Sequence, residues 1–264
     1  MSGTYVTRGR IDRLARRLSD RDWAVLHTLA RVRLATAFQL ERMHFAEVSP
    51  RQARSALAAL AARRLIARLP RQVGGVRAGS AGYVYVLDVA GQRLVRTSAA
   101  RPHRPWAVGE LFLAHSLEVT ELLARLTEAA RVRRDVTLTQ FGGEPGCWRP
   151  FTGAGGARVV LKPDAEVVLA SGRYEDRWFI EVDRATESRT ALDRKLWRYL
   201  DYWQTGREQA ATGVFPRVLW VVPDEARHAV MVDAFGRLPA ESWPLFAATT
   251  SDDAPQRILG GAAS

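Results

Sequence analysis

The stretch Lys162-Pro163-Asp164-Ala165-Glu166-Val167-Val168-Leu169-Ala170, then Ser171-Gly172-Arg173-Tyr174-Glu175-Asp176, then Arg177-Trp178-Phe179-Ile180-Glu181-Val182-Asp183, decides the reading of the larger part of the chain. Two apolar runs of strand length flank a polar segment containing a glycine, which is the signature of an antiparallel hairpin. Pairing across that turn is expected to bring Asp164 beside Asp183 and close to Glu181. Glu181 and Asp183 are two apart, so on a strand they share a face. Carboxylates gathered in this way repel one another unless protons or a hard divalent cation neutralise them. Asp164, Glu181 and Asp183 are therefore candidate ligands for Mg²⁺ or Mn²⁺, and a cation held there can activate water and stabilise charge on a phosphate. Any one of these acids alone reads more simply as a solvated strand end.

Outward from the hairpin, apolar periodicity predicts a helix over about Gly109 to Arg131, with Phe112, Val119, Leu123 and Leu126 on one stripe and His115 and Glu118 beside it. Strands are expected at Val136–Phe141 and Val159–Leu161. Downstream, a helix over Glu187–Gln204 packs Leu192, Leu196, Tyr199, Leu200 and Trp203 and leaves Lys195 at the edge of its buried face. Arg217–Val222 reads as a buried strand, Asp224–Phe235 as a helix and Leu245–Thr250 as an edge strand. The tail 251–264, rich in small residues, is expected to be disordered.

The front of the chain differs in charge. Residues 1–105 carry 20 Arg and no Lys against 6 acids, a charge of +14, whereas the remainder carries 19 basic against 22 acidic residues, a charge of −3. A genome that writes Arg for Lys explains the choice of cation but not its confinement to one segment. The asymmetry points to a polyanion-binding front half. Three helix starts follow one another there: Ser19, then Thr36 with Gln39, then Ser49 with Pro50 and Gln52, the last two reading as capping boxes. The third helix turns Ala53, Leu57 and Leu60 inward and presents Arg51, Arg54 and Ser55 near its N-terminus, as a recognition helix does. Leu65–Leu69 and Tyr83–Leu87 read as a strand pair joined by a glycine-rich loop bearing Arg71 and Arg77, which suits a wing lying over phosphates. A winged helix-turn-helix over residues 15–100 is thus expected, with Arg51, Arg54, Ser55, Arg71 and Arg77 as its candidate DNA contacts. Winged helices also serve as protein-docking modules, and the motif by itself names no target sequence.

The segment Arg101-Pro102-His103-Arg104-Pro105-Trp106 is a stiff connector, so the second domain is expected over residues 107–250. Cys147 is the sole cysteine, which excludes an internal disulfide and a cysteine-cluster zinc site. No run approaches the roughly 18 apolar residues of a membrane span, and the first residues lack the apolar core of a signal peptide, so a cytoplasmic protein without membrane contact is expected.

With these residues in place, a resemblance emerges. Pro163-Asp164, followed after a hairpin by Glu181-Val182-Asp183, resembles the PD-(D/E)xK nuclease core. The order winged helix, helix with His115, then Glu181-Val-Asp183-Arg-Ala-Thr-Glu187-Ser188 is similar to the replication-relaxation family of plasmid proteins, which includes the MobC-type relaxases. The resemblance covers most of residues 15–205. It implies an α/β fold class: an N-terminal winged helix-turn-helix followed by a restriction-endonuclease-like α/β domain. It further implies double-stranded DNA as partner, with other transfer or replication proteins beside it, and a Mg²⁺- or Mn²⁺-dependent site-specific nickase of a plasmid or mobile element. The chain departs from the nuclease pattern at Asp183, where a lysine is usual. Its only two lysines, Lys162 and Lys195, flank the hairpin and are the candidates to replace it. In the catalytic reading, Asp164 and Glu181 hold metal, Asp183 is ligand or support, and His115 with Glu118 shape the site. The competing reading is a non-catalytic replication accessory factor or transcriptional regulator on a degenerate nuclease fold. A repressor with a small-ligand sensor explains the front half but gives no reason for the acidic hairpin.

Overall fold

The computed structural model describes residues 7–69, 83–95 and 109–261. The chain falls into two compact units, residues 1–124 and 125–264. In the first, α1 (Arg8–Ala15) precedes α2 (Asp20–Val32), β1 (Leu34–Thr36), α3 (Ala37–His44), α4 (Pro50–Ala62), β2 (Ile66–Arg68), β3 (Val84–Leu87) and α5 (Val89–Leu94). Each of α2, α3 and α4 begins in a reciprocal capping box, with Ser19, Thr36 and Ser49 accepting from the backbone of Asp22, Gln39 and Gln52. These side chains satisfy N–H groups that a helix start leaves without intrahelical partners. The buried face of α2 includes Val25, Leu26, Leu29 and Val32, whereas Ala30 is exposed.

The strands β2 and β3 pair antiparallel as expected, with Ala67 opposite Val86, and β1 adds on the other side of β3. The loop expected as a wing, residues 70–82 with Arg71 and Arg77, lies outside the described residues, as does the connector 101–106.

A long helix, α6 (Glu110–Val132), carries the chain from the first unit into the second. Its first half belongs to the first unit for a definite reason. The Thr120 hydroxyl donates to the Leu34 carbonyl at 2.8 Å, Gln39 Nε2 donates to the Leu117 carbonyl at 2.9 Å, and Arg42 pairs with Glu121 at 2.5 Å. The division therefore falls inside α6.

The second unit is a mixed α/β layer. Its strands are β4 (Thr137–Gly143), β5 (Arg149–Thr152), β6 (Arg158–Leu161), β7 (Ala165–Ser171), β8 (Tyr174–Val182), β9 (Arg217–Val222) and β10 (Phe246–Thr250). The helices are α7 (Arg189–Gln204), α8 (Arg207–Thr212), α9 (Glu225–Gly236) and α10 (Ala254–Gly260). Among the described residues, five strands form one sheet in the order β10-β9-β8-β7-β4, and β5 and β6 form a separate pair. The β4-β7-β8 side is antiparallel and the β8-β9-β10 side parallel. Parallel neighbours need a crossover, and α7 supplies it between β8 and β9. The helix buries Leu192, Leu196, Tyr199 and Leu200 in an aromatic core with Phe179, Trp220, Phe235 and Phe246.

Between β7 and β8, the two-residue turn Gly172-Arg173 has Gly172 at φ +57, a conformation a Cβ would strain. The tail expected to be disordered instead carries α10, whose Ile258 and Leu259 are buried. Its few apolar residues are spaced to face inward together, which the small-residue composition around them conceals.

Candidate active site

The hairpin register sets Ala165 opposite Ile180, and the Asp164 amide donates to the Ile180 carbonyl at 3.0 Å. Continuing that register puts Asp164 opposite Glu181 rather than beside Asp183. Asp164 is held by a hydrogen bond from the Val182 amide to its Oδ2 at 2.7 Å. These positions lie at the carboxyl end of β8, the end where open α/β sheets form their clefts.

Glu181 is 1% exposed. The Tyr199 hydroxyl donates to its Oε1 at 2.5 Å, and Lys195 Nζ stands 2.6 Å from its Oε2. Oε2 is buried and accepts no hydrogen bond of good geometry, so the ammonium serves it as a counter-charge. Both partners come from α7, one turn apart, because the helix crosses directly behind the strand. Burial pushes the Glu181 carboxyl up to about 8, against the pull of Lys195, and the nearby Asp164 charge pushes the same way as burial. For Lys195, burial alone would lower the pKa, but Glu181, Asp164 and Glu187 together raise it, so the ammonium stays charged. Tyr199 is likewise raised by burial and by Glu181, which keeps its hydroxyl a donor.

The two candidate lysines separate clearly. Lys195 reaches Glu181 and lies 3.5 Å from Glu187, whereas Lys162 is exposed with its ammonium 4.5 Å from the ring centroid of Trp148. Asp183 is engaged elsewhere. Its Oδ1 accepts from the Ala185 amide at 2.7 Å and its Oδ2 pairs with Arg227 Nε at 2.6 Å. The same guanidinium reaches the Glu187 carbonyl at 3.3 Å. Arg227, on α9, thus staples both ends of the 183–187 loop and fixes the segment that carries Glu187 toward Lys195. Within that loop Ala185 holds φ +56, a strained conformation for a residue with a Cβ.

One residue near this centre, Glu144, escapes sequence reasoning. A Glu144 carboxylate oxygen lies within 4.8 Å of an Asp164 oxygen. Cys147 is buried with its thiol donating to the Pro163 carbonyl at 3.0 Å, and burial together with Glu144 and Asp164 pushes it up to about 12, so it is not a nucleophile. Nothing in the local pattern marks Glu144, since it sits in the connection between β4 and β5 and meets Asp164 only through the fold. Glu166, the hairpin's other buried acid, is paired with Arg149 at 2.8 Å.

The remaining candidates lie in the first unit. His115 is half-buried and Glu118 exposed on α6, with Val119 and Leu123 buried as expected. Arg51, Arg54 and Ser55 are exposed along the first turns of α4, while Ala53, Leu57 and Leu60 are buried. None of the helices among the described residues is long and apolar enough to cross a membrane.

A mixed α/β unit with an aspartate, a glutamate and a charged lysine gathered at one end of its sheet, preceded by a helical unit, defines the class of the protein. The sequence model of the replication-relaxation family matches residues 26–218, and the chain belongs to that family. No curated protein matches the chain. Among solved structures, the restriction endonuclease FokI bound to DNA is similar at 11% identity and a TM-score of 0.26, over 96% of this chain and 50% of that one. The chain thus spans half the length of that structure.

Proposed function

We propose that the protein is a metal-dependent, site-specific DNA nickase of relaxase type, acting in plasmid replication or transfer. In this reading α2–α4 with β2 and β3 form a winged helix-turn-helix that places the protein on duplex DNA, and the second unit is a restriction-endonuclease-like nuclease domain. One observation carries the proposal: Lys195 Nζ, 2.6 Å from Glu181 Oε2, supplies from a helix the cation that the strand lacks at Asp183.

The donor set fits a hard cation, because it consists of carboxylate oxygens, among them the buried Oε2 of Glu181, whose one close partner among the described residues is the Lys195 ammonium. Asp164 and Glu181 would hold it, with Glu144 as a further oxygen nearby. When bound, Mg²⁺ or Mn²⁺ supplies Lewis acidity at a phosphate oxygen and lowers the pKa of a water. The protein's own groups do the rest. Lys195 stays protonated, so it acts as a fixed positive charge facing the developing charge on phosphate rather than as a base. Tyr199 orients Glu181 by donating to Oε1. Asp183 supports the 183–187 loop through Arg227. Arg51, Arg54 and Ser55, with Arg71 and Arg77 of the 70–82 loop, contact DNA.

A non-catalytic DNA-binding accessory factor is the second reading. It is favoured by the pairs Glu181–Lys195 and Asp183–Arg227, which engage two acids without any metal ion. Incubation of the purified protein with supercoiled plasmid carrying its neighbouring DNA separates the two. Open-circular product that requires Mg²⁺ or Mn²⁺ and disappears with chelator supports the nickase. DNA binding with neither nicking nor cation binding favours the accessory factor.

A further inference from the structure

The outward side of α7 takes no part in the carboxylate centre. Trp197 is 50% exposed there. Arg194 is exposed and Arg198 half-buried, and neither has an acidic partner among the described residues, unlike Arg189 and Arg237, which pair with Asp233. Successive helix residues turn by about 100°, so Arg194 and Arg198 fall between Trp197 and Lys195 around the axis. The helix therefore presents in order an open indole face, two unpaired guanidinia and the ammonium that contacts Glu181.

We infer that Trp197, Arg194 and Arg198 form a track for a single strand of DNA, with a base stacked on Trp197 and the backbone led over the two arginines toward Lys195. An aromatic face interleaved with cations is how single strands are gripped, since every base has a π-face and every linkage a phosphate. A duplex offers its phosphates but keeps its bases stacked inside, so it would use the arginines and leave the indole idle. A protein partner would need a broad apolar patch, and Trp197 stands among charged and polar neighbours: Thr190, Asp193, Asp201 and Gln204 share its side of the helix. Asp201, exposed one turn beyond, sets the end at which phosphate is repelled. The inference rests on the nuclease reading for its direction toward Lys195, but strand binding itself needs no catalysis.

The test is binding of a twelve-nucleotide oligo(dT) and a duplex of the same length to the full chain, in chelator so that no cleavage intervenes. Trp197→Ala is expected to weaken oligo(dT) binding about tenfold or more, with Trp197→Phe retaining most of it. Arg194→Ala with Arg198→Ala should lower the single-strand salt slope by roughly 1.4, at about 0.7 per phosphate released. Arg257→Ala, on the exposed side of α10, should leave it unchanged. Wild-type protein that does not bind oligo(dT), a Trp197→Ala variant that binds it as tightly as wild type, or equal losses on strand and duplex would each overturn the track. Absence of nicking by wild type would instead overturn the nuclease reading and leave these binding results standing.

Discussion

Replacing Arg227 with Met should destabilise the protein through one buried carboxylate. The Asp183 side chain is 3% exposed and that of Arg227 12%, and they approach to 2.6 Å. With the guanidinium gone, Asp183 Oδ1 keeps the Ala185 amide but Oδ2 is left without its charged partner. Breaking a buried pair in this way costs about 3–5 kcal/mol. The carboxyl can relieve part of that by taking a proton, so the lower end, about 3 kcal/mol, is expected at neutral pH. For a chain of this size that corresponds to a fall in Tm of roughly 6–12 °C. Asp183→Asn with Arg227→Met removes the stranded charge, so the double variant should recover part of the stability, with a coupling energy of about 1.5–3 kcal/mol. Urea unfolding of wild type, both single variants and the double variant, followed by tryptophan fluorescence, measures this directly. Coupling below about 0.5 kcal/mol, the level at which independent sites add, would refute the view that Arg227 and Asp183 form a buried staple.

Other expectations rest on the same residues. Arg51→Ala with Arg54→Ala should weaken duplex binding and lower its salt slope by about 0.9 for each phosphate that is no longer neutralised, and a change in preferred sequence as well would mean that α4 reads bases. The Glu181 contribution to folding stability in chelator, read as the difference between wild type and Glu181→Gln, should fall as pH rises from the ordinary carboxylate value of 4.5 toward 8, because Glu181 holds its proton more tightly folded than unfolded. Its contribution is complete below the unfolded value and disappears through the folded one. A difference between wild type and Glu181→Gln that does not change with pH over this range would contradict a buried, proton-holding carboxyl. Tyr199→Phe leaves Glu181 Oε1 without its donor and should cost about 1–3 kcal/mol in urea unfolding, a cost absent if the hydroxyl were idle.

Much of the fold is legible in the sequence where the signal is local. The capping residues Ser19, Thr36 and Ser49 mark three helix starts, and the unbroken apolar run of Arg217–Val222 marks a strand. The acidic hairpin is recognisable as a hairpin, but its register falls differently from the sequence expectation, and register decides which acid faces which. Because Asp164 opposes Glu181, Asp183 is left to Arg227, a residue 44 positions away that no periodicity connects to it. Lys195 stands out by its rarity and helical position, yet choosing it over Lys162 requires the helix crossing behind β8. Tyr199 reads as core, which it is, while its hydroxyl's role depends on where Glu181 comes to lie. Glu144 and α10 are hidden for the same reason: their partners are distant in sequence.

The central claim is that Lys195 takes the place of the lysine missing from the strand. The most direct test compares metal-dependent nicking of supercoiled plasmid by wild type, Lys195→Met and Lys162→Met, after checking that all three bind duplex equally. Removal of a positioned charge at the reacting phosphate is expected to slow Lys195→Met by about 10²–10³-fold, with Lys162→Met close to wild type. Nicking by Lys195→Met at the wild-type rate, or loss of activity in Lys162→Met alone, would contradict it.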